Sequence, residues 1–267
     1  MKTLTVAIVA VMLCATSSEG ADLQPRTIAA FGRYVAIAES RIDVDGFSWL
    51  DSLPSTQRQR TLAEVRRGMV AIERLQARDA GREVEVPGGL IHHWVGAVFV
   101  PEATVDQALT LLQDYDSHAS VYAPVVARSR LIAREGDEFR VFLRFVMKKV
   151  ITVVVNSEHQ ARFTRQGPEG ARSRISSTRI AEVVDPNTPG EHEAPVGHDG
   201  GYLWRLNTYW RFLGRDGGVY IECESISLTR GIPLGLGWIV GPFVTSIPRD
   251  SLSFSLETTR RALGARR

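Results

Sequence analysis

The chain has 267 residues, 44% of them hydrophobic and 23% charged, enough for one sizeable core with an extension. Its 32 lysines plus arginines stand against 30 aspartates plus glutamates, a net charge of +2. That is too near neutral to specify a nucleic-acid partner or strong attraction to an anionic membrane.

The N-terminus carries the marks of an export signal. Lys2 gives a positive start, Leu4 to Ala15 is an apolar run too short to span a bilayer comfortably, and small residues near Ala21 offer a cleavage site. Residues 1–21 are therefore expected to be a cleaved signal peptide, which makes the mature protein periplasmic or secreted. Leu13 before Cys14 argues against lipidation. Cleavage leaves Cys223 alone, so no internal disulfide is expected. The pattern around Cys223 makes it a small buried apolar residue. No later stretch has the length and hydropathy of a transmembrane helix.

Residues 22–82 are expected to be an N-terminal helical extension. Ile28 to Ala38 has the pattern of a short helix, and Asp43-Val-Asp-Gly46 that of a turn. The spacing of Leu62, Val65, Met69, Ile72 and Leu75 predicts a helix over 55–77, capped by Ser55. Residues 83–86 are expected to form a short strand. Leu90 to Val100 is an apolar strand closed by Pro101, and Thr104 opens a helix that stops at Asp114-Tyr-Asp116. His92 and His93 are neighbours on that strand, so they face opposite sides and share no metal.

From Val125 the alternation is that of antiparallel strands: 125–134, 138–147, 150–162, 172–184, 202–213 and 219–229. The short glycine-bearing connections suit hairpins. Asp185 to Gly201, rich in Pro, Gly, Glu and His, is expected to be a flexible loop. Gly231 to Pro242 is an apolar, glycine-punctuated loop. A long helix begins before Pro248 and ends near Leu263, with Leu252, Leu256, Thr259 and Leu263 on its inner side.

These features together resemble the START-like superfamily, the helix-grip fold of lipid-transfer START domains, polyketide cyclases and coenzyme Q-binding proteins. The resemblance rests on His93-Trp-Val-Gly-Ala-Val-Phe-Val-Pro101 with the helix and Asp114-Tyr-Asp116 after it. It rests also on Val219-Tyr-Ile-Glu-Cys-Glu-Ser-Ile-Ser-Leu-Thr229 and on the loop and helix of residues 231–263. It implies an α+β domain over residues 83–267, a curved antiparallel sheet of about six or seven strands wrapped on the C-terminal helix, with an apolar cavity between them. It implies no one chemistry.

The resemblance and strand parity give cavity candidates: Trp94, Phe145, Trp204, Tyr209, Trp210, Arg211, Glu222, Glu224, Trp238 and Phe243. Trp204, Leu206, Thr208, Trp210 and Phe212 share one face; Arg205, Asn207, Tyr209 and Arg211 share the other. A regular hairpin roughly pairs Tyr209 with Glu222 and Asn207 with Glu224, and brings Arg211 to Glu222. Phe139, Val141, Leu143, Phe145 and Met147 share a face, as do Ile151, Val153 and Val155. If the glutamates face inward, they orient a polar group of the ligand; if outward, shape and apolarity alone select it. Trp238 and Phe243 lie where a mobile gate or membrane-touching edge would be.

No Gly-x-Ser-x-Gly, His-Glu-x-x-His or Cys-x-x-Cys occurs, and the C-terminal glycine-rich loop is not a nucleotide loop. No cofactor and no metal are expected; His192 and His198 sit among Glu191, Glu193 and Asp199, but in the loop. Three readings stand. The first is an exported protein binding a lipid or other hydrophobic small molecule, with transient membrane contact. The second is a cyclase- or dehydratase-type enzyme using Tyr209 with Glu222 or Glu224 as acid and base. The third is a structural or interaction protein with a filled core.

Overall fold

The computed structural model describes residues 21–44, 46–149, 151–231 and 237–265, with side chains of the last stretch from residue 246. Residues 1–20, within the expected signal peptide of residues 1–21, and residues 232–236 lie outside the described residues.

The first helix, α1 (Pro25–Ile42), starts with proline in its first turn, where the missing N–H costs nothing. It is longer than its apolar core predicted. Ala30, Phe31, Tyr34, Val35, Ala38 and Ile42 recur at three- and four-residue spacing and form its buried stripe. A short helix, α2 (Trp49–Ser52), is capped by the Ser48 hydroxyl, which accepts from the Asp51 N–H.

The helix predicted over 55–77 is a correction. It ends at Arg66 as α3 (Ser55–Arg66). Gly68 follows at φ +88°, a left-handed conformation that side-chain-bearing residues avoid, and the chain leaves the helix there. Ala71–Arg74 is then a strand, β1, with Ile72 opposite Gly96. Local spacing favours helix, but pairing with an existing strand edge wins. The strand expected at 83–86 is instead a two-residue pairing of Arg78–Asp79 with Arg82–Glu83.

The long strand β2 (Gly89–Pro101) leads into α4 (Val105–Gln113). There Thr104 and Gln107 form a reciprocal capping box. A turn at Tyr115–Ser117 and a short helix, α5 (His118–Val121), follow. Next come β3 (Val126–Glu135), β4 (Glu138–Lys148), β5 (Thr152–Arg165), β6 (Gly170–Val184), β7 (Arg205–Arg215) and β8 (Gly218–Arg230), and finally α6 (Gly237–Gly264).

The architecture is α+β, as expected. The strands form one antiparallel sheet in the order β1-β2-β8-β7-β6-β5-β4-β3. It is larger than six or seven strands because β1 pairs onto its edge. The stretch 185–201, expected to be a flexible loop, is anchored to its surroundings. His192–Glu193 pairs with the end of β6, and His198–Asp199 pairs with Ala21–Asp22.

Both faces of the sheet's central strands are covered. On the inner face, Val98, Val100, Trp210, Phe212, Val219 and Ile221 pack with Leu252, Leu256 and Leu263 of α6. On the outer face, Phe31, Tyr34, Val35 and Ala38 of α1 pack on Tyr209, Ile226 and Leu228. Beside them Trp49, Leu50, Leu53 and Val65 pack on Val95, Ala97, Phe99 and Tyr220. Residues 25–66 thus supply the sheet's second apolar cover.

Candidate functional site

Between the inner face and α6 lies a cavity of about 280 Å³. Its wall follows from the pleat. On β4, Val141, Leu143, Phe145 and Met147 point in; on β7, Leu206, Thr208 and Trp210 do. On β8, Cys223, Ser225 and Ser227 continue that face, and Leu252, Phe254 and Ser255 of α6 close it. Burial pushes the Cys223 thiol up and out of reach of ionisation.

Of the sequence candidates, Phe145 and Trp210 line this cavity. Trp94 lies on the same face, opposite Ser225, and packs against the inner core beside the cavity. Trp204, Tyr209, Arg211, Glu222 and Glu224 do not reach it. Trp204 precedes β7 and escapes its alternation: its side chain joins the cluster under α1, with Nε1 donating to Asp199 at 3.1 Å. The side chains of Trp238 and Phe243 lie outside the described residues.

The register explains the glutamates. Tyr209 pairs with Glu224 and Arg211 with Glu222, while Asn207 meets Ile226. The Arg211–Glu222 pairing is as expected; the Tyr209–Glu222 and Asn207–Glu224 pairings are each displaced by two residues. This face is neither cavity nor solvent, because the N-terminal helices bury it. Glu222 Oε1 accepts from Ser48 Oγ at 2.6 Å and from Leu50 N at 3.0 Å, and Oε2 accepts from Trp49 N at 2.9 Å. A fully buried carboxylate therefore caps α2.

Glu224 Oε1 takes Arg41 Nη2 at 2.5 Å and His93 Nε2 at 2.7 Å, and Tyr34 Oη bonds His93 Nδ1 at 2.9 Å. Burial alone would raise the Glu224 carboxyl. The His93 bond and the charges of Arg41 and Arg211 outweigh it and hold the group below its ordinary value. The guanidiniums of Arg41 and Arg211 both stack on the Phe47 ring, at 5.0 and 4.8 Å. The acid–base constellation of Tyr209 with Glu222 or Glu224 is therefore withdrawn as cavity chemistry; Tyr209 instead donates to Glu39 at 2.8 Å.

Sequence reasoning passed over the cavity's polar groups. Tyr115, His118 and His159 line it, each at least nine-tenths buried. The turn bearing the first two is tied to β3. Asp116 Oδ1 accepts from Leu131 N at 2.8 Å, and Ser129 Oγ accepts from Ala119 N at 2.8 Å. Tyr115 and His118 then stack at 4.8 Å between ring centres. His159 extends the inward alternation of Val153 and Val155 on β5, opposite Val141. That alternation was the signal that could have found it. Burial lowers both imidazoles to about 4, so they are neutral near pH 7.

The polar cluster sought around residues 191–199 is dispersed. Glu191 bonds Arg144, Glu193 bonds Asn156 and Arg179, and His198 bonds Asp22. Among the described residues no three His, Cys, Asp or Glu side chains gather as a metal site, and no helix is long and apolar enough to cross a membrane.

No protein-family model and no curated protein matches the chain. Among solved structures it is similar to a STAR-related lipid transfer protein from Xanthomonas axonopodis, at 18% identity and TM-score 0.45 over 71% of this chain and 98% of that one. It is similar also to the Zhui aromatase/cyclase from a Streptomyces species, at 11% identity and TM-score 0.44 over 66% and 96%. A third is a START superfamily protein from Mycobacterium smegmatis, at 9% identity and TM-score 0.44 over 66% and 99%. By its own sheet order and C-terminal helix, the chain is an α+β fold in which one antiparallel sheet packs against a C-terminal helix.

Proposed function

We propose that this protein binds a lipid or other hydrophobic small molecule in the cavity between its sheet and α6, and that it acts as a binding protein. The observation that carries this is the wall itself: Leu112, Val141, Phe145, Trp210 and Leu252 enclose about 280 Å³. A single water takes about 30 Å³ of liquid volume, so the space far exceeds a packing defect. Mostly apolar walls with a few placed polar groups are the usual make of a ligand site. The size of the cavity also counts against the filled-core reading. Export after removal of residues 1–21, and transient membrane contact through the apolar residues of 234–243, belong to this proposal on their sequence alone.

The test is extraction. The full chain, purified natively, is extracted with organic solvent and the extract read by mass spectrometry. A hydrophobic compound recovered near one per chain is expected. Repeated recovery of none, with no binding of the apolar fluorophore N-phenylnaphthylamine, would overturn the proposal.

A further inference from the structure

The cavity wall leaves three polar atoms unmet. Tyr115 Oη, His118 Nε2 and His159 Nδ1 are buried and have no hydrogen-bond partner. Buried polar groups are nearly always paired, and an unpaired one costs stability, so three on one wall call for a partner from outside the chain.

The hydrogen bonds of their neighbours fix what that partner must offer. The Ser157 hydroxyl donates to the Leu143 carbonyl at 2.9 Å, so its oxygen is left to accept. His159 Nε2 lies 2.9 Å from that oxygen and must be the protonated nitrogen. His159 Nδ1 is then a bare lone pair on the cavity wall. His118 Nε2 is also unmet on the wall, but no hydrogen bond of its ring fixes which nitrogen carries the proton. Tyr115 Oη can donate or accept. The neighbouring Tyr122 hydroxyl is committed to Thr259, at 2.9 Å. The charged residue on the wall, among those described, is Arg230, half-buried and near Glu182.

Resting on the binding function proposed above, we infer that the bound molecule is neutral and carries a hydrogen-bond donor, hydroxyl or N–H, directed at His159 Nδ1. A ligand carboxylate would bring an acceptor to this acceptor. A plain hydrocarbon would leave it unmet. Tyr115 Oη then accepts from the ligand or donates to the ligand's oxygen.

Three probes of matched chain length test this against the full chain: dodecanol, dodecyl methyl ether and dodecanoate. Each is titrated against bound N-phenylnaphthylamine at neutral pH. Dodecanol is expected to bind about tenfold more tightly than the ether, which has the oxygen but not the donor, and more tightly than dodecanoate. In His159→Phe and in His159→Leu, tested separately so that one misfolded variant does not decide the matter, the preference for alcohol over ether should shrink severalfold. Equal binding of alcohol and ether to the unaltered chain, or tightest binding of dodecanoate, overturns the inference and leaves the cavity function standing. Displacement by none of the three also overturns the inference, whereas the cavity function falls only if the fluorophore does not bind and no compound is recovered.

Discussion

Arg211 and Glu222 face each other across β7 and β8, with Nη1 3.7 Å from Oε2, on the sheet face turned away from the cavity. Neither touches water to any extent, since Arg211 is 4% and Glu222 0% exposed. Burial lowers the Arg211 guanidinium, and the two glutamates oppose that fall. A charged pair in such a place is tolerated because every Glu222 oxygen also meets donors of the N-terminal segment. The pair is thus the inner half of a joint whose outer half is residues 41–50.

That joint gives the first prediction. Glu222→Ala leaves Ser48 Oγ and the N–H groups of Trp49 and Leu50 without their acceptor, and removes one of the two carboxylates that face Arg211. We expect a loss of about 3–5 kcal/mol in urea unfolding. Affinity of the folded variant for N-phenylnaphthylamine should stay the same, because the cavity is on the other face. A loss below about 1 kcal/mol would mean that this joint does not hold the segment.

At Gly96, β2 packs tightly against both α6 and β1. A Cβ built there would stand 2.7 Å from Leu256 Cδ1, 2.8 Å from Ile72 Cγ1 and 2.9 Å from the Ala71 carbonyl oxygen. The last is backbone and cannot swing aside. Gly96→Ala is predicted to cost about 1–3 kcal/mol by overpacking. Chemical denaturation would show it, and an unchanged midpoint would contradict the close approach.

The buried histidines set an acid limit. His92, His118 and His159 are each lowered from 6.5 to about 4, by burial above all, with Arg74 adding to the effect at His92. The unfolded chain then binds protons more readily than the folded one. Their stabilisation is complete above pH 6.5 and drains away as pH falls toward 4. Each contributes about 3 kcal/mol at most. Thermal unfolding should therefore show a melting temperature that falls across this window. The fall should be shallower in His159→Phe; an equal slope in variant and parent would remove His159 from the account.

Filling the cavity separates binding from folding. Ser225 is half-buried on the wall and bears a small side chain. Ser225→Phe places a ring in the space without removing a hydrogen bond known to hold the fold. We predict at least about a tenfold loss of N-phenylnaphthylamine affinity with a stability change under about 1.5 kcal/mol. Retained affinity would place the fluorophore elsewhere.

The sequence by itself determined the order of elements from Leu90 onward, because strand alternation, hairpin glycines and the Thr104 cap are local signals that need no partner. It determined the division of each strand into two faces: Phe145 and Trp210 line the cavity along with the neighbours that share their parity. It anticipated a contact between Arg211 and Glu222, but with the strand register displaced by two residues. Only the tertiary structure decided what lies on each face. Alternation is symmetric, and a face becomes cavity, core or surface according to what packs on it. Here α1 and α2 cover the outer face, so Glu222 and Glu224 are buried without meeting the cavity. The same dependence hid β1, whose apolar spacing suits a helix until β2 offers an edge to pair with. It also hid His118 and His159, whose unmet nitrogens exist only once the cavity wall has closed around them and, for His159, Ser157 has taken up the other side of the ring.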